Sequence, residues 1–162
     1  MRTVLFLRLT AIAATVLFLG AGCISFSGGS SNNTASDGGI FKTLNKGDAW
    51  LTKNAIVSTG AARTLSNLSI VALTQDPQDQ NALYVGTAES GLLYSLDAGE
   101  SWTQVPQVNK GKISSIAVDA KNKCIIFAAF ENKILKSIDC TRTWVIKYID
   151  ARPDKAVTAV TV

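Results

Sequence analysis

The stretch YSLDAGESW, Tyr94–Trp102, decides how the rest of the chain is read. Its centre is polar, with Ser95, Asp97, Gly99 and Ser101 at alternate positions, and Trp102 closes it. Two relatives flank it: KTLNKGDAW at Lys42–Trp50 and KSIDCTRTW at Lys136–Trp144. Each residue type has a duty in a tight connection. Asp97 can accept from backbone amides and close an Asx-type turn, and Gly99 takes a positive φ at no steric cost. Ser95 and Ser101 can bond the flanking backbone, while Trp102 offers a large apolar plate to bury against a neighbouring sheet.

The flanks repeat as well. ISSIAVDAKNKCIIFAAFENKILKSIDCTRTW lies over IVALTQDPQDQNALYVGTAESGLLYSLDAGESW with a single deletion, and VTAVTV at Val157–Val162 begins a third unit. The starts fall at residues 70, 113 and 157. That spacing is the length of one four-stranded β-propeller blade. ISSIAV predicts a first strand, CIIFAAF a second, KILKSI a third after a turn at Glu131–Asn132, and TWVIKYI a fourth. The motif then spans the turn from third to fourth strand.

The expected fold is therefore all-β: a β-propeller of four-stranded blades with only about three present. Residues 39–57 end a first blade, 68–107 and 113–150 form two further blades, and 157–162 start another. A closed ring needs typically about four to eight blades, so the reading is an incomplete propeller, a truncated form of a longer one. Standing alone it would leave apolar faces and unpaired edges, and would need to oligomerise or aggregate. NAIVSTGAARTLSNLS, Asn54–Ser69, lengthens the first interval between tryptophans and reads as a surface loop.

Residues 1–22 have the layout of an export signal: Arg2 and Arg8, an apolar run from Leu9 to Leu19, then small residues. Residues 23–38, rich in Gly, Ser and Asn, cannot bury enough surface to fold and read as a flexible tether. Without the signal, 14 basic residues face 12 acidic ones, and no basic block suggests a nucleic-acid footprint.

Two resemblances follow from these residues. LGAGC, Leu19–Cys23, resembles the lipobox of bacterial lipoproteins, with Gly20 where that family prefers Leu. It implies acylation of Cys23 and a chain exported and lipid-anchored at the outer face of a bacterial membrane. The motif Ser95, Asp97, Gly99, Ser101, Trp102 resembles the Asp-box, or BNR repeat, of sialidase-like propellers. Thr43, Asn45, Gly47 and Trp50 match it conservatively. Ser137, Asp139, Thr143 and Trp144 match as well, with Thr141 standing where Gly belongs, which predicts a distorted turn. The longer stretch from Asp76 to Trp102 is most similar to propellers of the photosystem II stability/assembly-factor type and of sortilin. Those propellers mostly bind proteins or peptides; in the sialidase family the Asp-boxes lie at the periphery, away from the active site, which implies a structural role for Asp97 and Asp139 here.

Catalysis finds little support. The chain has no histidine, which excludes Ser-His and Cys-His nucleophile pairs and His-based zinc sites. The sialidase Arg-Ile-Pro signature is missing, and Arg63, Arg142 and Arg152 stand in unrelated contexts. Asp76, Asp119 and Glu89 leave a paired-carboxylate glycosidase open, yet Asp76 and Asp119 occupy equivalent repeat positions, which marks them as turn residues. Cys124 and Cys140 fall nearly opposite each other if strands two and three pair around Glu131–Asn132, so they form either a cross-strand disulfide or two free thiols. No cofactor or metal site is expected. The reading is a membrane-tethered, non-catalytic module that binds a protein or peptide. The alternative is a glycan-binding or glycoside-hydrolase propeller whose catalytic blades lie elsewhere.

Overall fold

The computed structural model describes residues 38–162. The export signal, Cys23 and nearly all of the tether read from the sequence lie outside them. Two four-stranded antiparallel sheets dominate. One runs in the order β5 (Ile70–Asp76), β6 (Asp79–Thr87), β7 (Leu92–Ser95), β8 (Thr103–Gln104). The other contains β9 (Ile113–Val118), β10 (Ile126–Phe130), β11 (Lys133–Ser137) and β12 (Val145–Ile149), again in chain order across the sheet. Ahead of them, β1 (Phe41–Lys42) pairs with β2 (Leu51–Thr52) as the outer part of a first blade. Each sheet is a meander whose neighbours in sequence are neighbours in space, the arrangement of propeller blades, and the whole is an incomplete propeller.

Strand alternation explains how the blades stack. On β6 and β7, Tyr84 and Leu92 join one buried cluster, while Val85 and Leu93 join another on the opposite face. The second blade is thus apolar on both faces. One face packs on the third blade through Ile113, Ile116, Ile126 and Leu135; the other packs on Ile56, Leu65 and Trp102. Gly86 permits the close approach of the inner strands, since a Cβ there would come within 2.6 Å of the Ile113 carbonyl oxygen. Across that boundary Thr74 Oγ1 donates to Ile116 O at 3.1 Å.

Two segments differ from the sequence reading. Residues 54–69 are no bare surface loop: β3 (Ala55–Ile56) pairs with β4 (Arg63–Thr64), and a 3-10 turn follows at Leu65–Asn67. The segment folds because Ile56 and Leu65 bury themselves against the second blade, and Asn54 ties it down by accepting from Ile40 N at 2.7 Å. Residues 157–162 form no strand. They run along β9 and are held there by Ser114 and Ser115, with Val160 N donating to Ser115 Oγ at 3.2 Å. Two short side chains replace a backbone ladder. Among the described residues, no helix is long and apolar enough to cross a membrane.

Candidate functional site: the turns and the grooves between blades

The three motif turns share one hydrogen-bond scheme. In the second, Ser95 Oγ accepts from Asp97 N at 3.3 Å and from Gly99 N at 2.9 Å, and donates to Asp97 Oδ1 at 2.6 Å. Asp97 Oδ1 then accepts from Ser101 N at 2.9 Å, and Oδ2 from Ser101 Oγ at 2.6 Å. The Ser101 hydroxyl therefore serves the carboxylate, not the flanking backbone expected from the sequence. In the first turn, Thr43 and Asn45 make the same backbone bonds to Gly47 N and Ala49 N, at 2.8 and 2.9 Å. In the third, Ser137 Oγ accepts from Thr141 N at 3.0 Å and Asp139 Oδ1 from Thr143 N at 2.8 Å.

The third turn was expected to be distorted by Thr141, and it is not. Its φ of 72° compares with 86° at Gly99, and the residue before it is also left-handed in both turns, at 57° for Cys140 and 58° for Ala98. The sequence pays in conformational strain instead of geometry, because a β-branched residue disfavours this region. Thr141→Gly should stabilise the chain by roughly 0.5–1 kcal/mol, the relief of the Cβ clash less the extra unfolded-state entropy of glycine. Urea unfolding checks it; a lower midpoint would mean that packing of the threonine side chain outweighs the strain.

Hydrogen bonds from the Ser101 hydroxyl, then its amide, then Ser95 hold the Asp97 carboxyl at about 2, against an ordinary 3.8. Thr143 depresses Asp139 in the same way, through its hydroxyl and then its amide. A depressed carboxylate stabilises the fold above its unfolded pKa, and that contribution is lost as pH falls through the folded value. Stability should therefore decline between about pH 4 and pH 2, modestly, since Asp97 is exposed and screened by solvent. Asp97→Asn keeps the acceptor oxygen without the titration, so its unfolding midpoint should fall less steeply over that window.

The tryptophans that close the turns diverge. Trp102 is fully buried; its Nε1 donates to Lys53 O at 2.7 Å and its backbone N to Ala55 O at 2.9 Å. Trp144 is half-buried against the second blade, its N donating to Gln107 Oε1. Its Nε1 is the buried side-chain donor left without a partner among the described residues. The carbonyl in the place of Lys53 O is that of Val105, which accepts from Val108 N in the 3-10 turn Pro106–Val108. Trp50 is 59% exposed, because the described residues place no sheet against it.

Cys124 and Cys140 are joined as a disulfide with Cα atoms 3.9 Å apart. Cys124 lies just before β10, and the bond clamps the end of the β10–β11 hairpin. Asp76 and Asp119 are turn residues: Asp76 Oδ1 accepts from Gln78 N, and Asp119 Oδ1 from Lys121 N and Asn122 N. Among the described residues, no three His, Cys, Asp or Glu side chains converge as a metal site would need.

Two concavities lie between blades, beside these turns. A groove of about 460 Å³ separates the second and third blades, lined by Tyr84, Tyr94, Leu96, Gln104, Pro106 and Arg142 among others. Its counterpart between the first and second blades holds about 220 Å³ and includes Lys42, Lys53, Ala98 and Gly99. The difference follows from three equivalent positions. In the smaller groove, Lys42 Nζ donates to Ala98 O at 3.0 Å, and both Lys42 and Lys53 pair with Glu100. In the larger one those places are taken by Tyr94, Val105 and Arg142, so no ion pair forms among them, and the blades are bridged instead by Lys123 Nζ with Asp79 Oδ2 at 3.5 Å. Tyr84 sits buried at its base, its hydroxyl pushed up to about 12 by burial and then by Asp76, Asp79 and Tyr94. It stays protonated and can donate. Among the described residues that line this groove there is no carboxylate.

Fold and turns together define an all-β chain of the propeller type. No protein-family model matches it, and no curated protein does. Among solved structures, an ancestral GH74 enzyme is similar over 67% of this chain and 15% of its own, with a TM-score of 0.51 and 22% identity. YCF48 bound to D1 peptide is similar over 59% of this chain and 31% of that one, at a TM-score of 0.48 and 13% identity. The GH74 enzyme of Niastella koreensis is similar over 67% and 26%, at 0.34 and 15%. The chain spans less than a third of the length of each of these three. The first likeness concerns the fold alone.

Proposed function

We propose that the chain is a non-catalytic binding module, tethered at the outer face of a bacterial membrane, whose ligand is a peptide segment of another protein. The three motif turns are Asp-boxes in this reading: their serine, threonine, asparagine and aspartate side chains close the blades, while Leu96 and Arg142, carried on the second and third turns, face the groove. The observation that carries it is the groove between the second and third blades. It pairs an apolar wall of Leu96 and Pro106 with two tyrosines and one cation, Arg142, and lacks the lysine–glutamate latch of its counterpart. Apolar surface with a few placed polar groups suits a peptide with an apolar residue beside an acidic one. Arg142 is exposed at the turn, where its guanidinium can meet a carboxylate.

Short acidic and basic peptides of matched apolar content test this directly. The full chain should retain the acidic set, and Arg142→Glu should weaken that retention about tenfold or more while favouring the basic set. Retention that ignores Arg142→Glu, or a preference for neutral oligosaccharides, would end the peptide reading in favour of a glycan-directed one. The tether rests on the sequence of residues 19–38. Metabolic labelling with a fatty acid should mark the wild-type chain and leave Cys23→Ala unmarked.

A further inference from the structure

The boundary between the first and second blades is built from positions that recur at the two outer faces of the described residues. At that boundary Lys42 precedes the first motif, Lys53 follows Trp50, and both meet Glu100, two residues ahead of Trp102. The third blade carries the same two lysines: Lys136 precedes its motif, and Lys147 follows Trp144 at the spacing of Lys53 from Trp50. The first turn carries the acid, since Asp48 stands two residues ahead of Trp50. Asp48 and Lys147 are exposed and enter no ion pair among the described residues. The second-to-third boundary lacks this set altogether, with Tyr94, Val105 and Arg142 in its place.

We infer that the first blade of one copy docks on the third blade of a second copy of this chain, head to tail, reproducing the internal boundary. Asp48 of one copy meets Lys136 and Lys147 of the other as Glu100 meets Lys42 and Lys53. The backbone supports the same match. Trp102 donates through Nε1 to Lys53 O and through its amide to Ala55 O. The equivalent acceptors for Trp50 are the carbonyls of Lys147 and Ile149, on β12, an outer strand whose five residues are all exposed. Apolar surface waits on both sides: Trp50 on one, and on the other Val145 and Tyr148, which share the face of their cross-strand partners Lys136 and Ile134. Residues 157–162 already lie on β9 where the inner strand of such a composite blade would run. The contact is heterologous, so it propagates until the rotation closes a ring. It stands independently of the peptide groove, whose residues it does not use.

Two experiments on the full chain decide the matter. Chains carrying Asp48→Cys and Lys147→Cys, made together and treated with a short bis-maleimide, should give a cross-linked dimer. Either variant alone should not. In sedimentation of the detergent-solubilised chain, Asp48→Lys should weaken association about tenfold or more. Combining it with Lys136→Glu and Lys147→Glu should restore it, which separates a lost contact from a lost fold. A monomeric wild type, association unmoved by Asp48→Lys, or a cross-link only to a different protein would each overturn the inference.

Discussion

Trp102→Ala is expected to cost about 3–5 kcal/mol of unfolding free energy, the range for removing a fully buried large aromatic side chain. The indole lies at 0% exposure among Ile56, Leu65, Val85 and Leu93, and its Nε1 satisfies Lys53 O across a blade boundary. Deleting it leaves a cavity and an orphaned carbonyl together, and the neighbouring strands belong to different blades that cannot close on the space. Trp50→Ala provides the control within the same chain. The same residue type in the same turn, exposed, should change monomer stability by no more than about 0.5 kcal/mol. Urea unfolding at concentrations where the chain is monomeric compares the two. Equal effects would show that burial at the boundary is not what holds the first blade to the second.

That contrast also shows which parts of the molecule the sequence made legible. The turn chemistry was open to inspection because it is local: Ser95, Asp97 and Gly99 act on amides within four residues, and three copies expose the pattern. The strand meander followed from the period. What separates Trp102 from Trp50 is not local, since the surrounding motifs are nearly the same and the outcome depends on whether another sheet lies opposite. The insert at residues 54–69 was missed because its strands are two residues each, too short for any alternation to register. Its signal, with hindsight, was the pair Ile56 and Leu65 in an otherwise polar stretch. Thr141 was misjudged in the other direction. Substituting for glycine suggested a broken turn, but the amides of Thr141 and Thr143, donating to Ser137 Oγ and Asp139 Oδ1, hold the backbone left-handed with threonine in place of glycine.

The larger groove was hidden for a different reason. Nothing in Tyr94, Val105 or Arg142 marks a site when each is read alone. Their meaning comes from the residues they replace, and that requires knowing that positions just before the motif, three after its tryptophan and two before the next tryptophan converge across a boundary. Once that geometry is known, the alignment of repeats becomes a map of which boundaries are latched and which are open. The same map yields Asp48, Lys136 and Lys147.

The disulfide offers the second large effect. Cys124 and Cys140 are 16 residues apart, and closing a loop of that size removes about 3 kcal/mol of conformational freedom from the unfolded chain in the entropic account. Cys124→Ala with Cys140→Ala should therefore lower stability by about 3 kcal/mol, and wild type in reductant should behave like the double variant. Position 140 complicates the arithmetic in a way that can be exploited. Its φ is 57°, so alanine there keeps the left-handed strain that glycine would relieve. Cys124→Ala with Cys140→Gly should recover roughly 0.5–1 kcal/mol of the loss. The fold itself should survive in both variants, because Ile126, Ala128 and Leu135 keep their places in the core on either side of the hairpin. A wild type whose unfolding midpoint ignores reductant would show that the clamp adds nothing, and the β10–β11 hairpin would then rest on its ladder and packing alone.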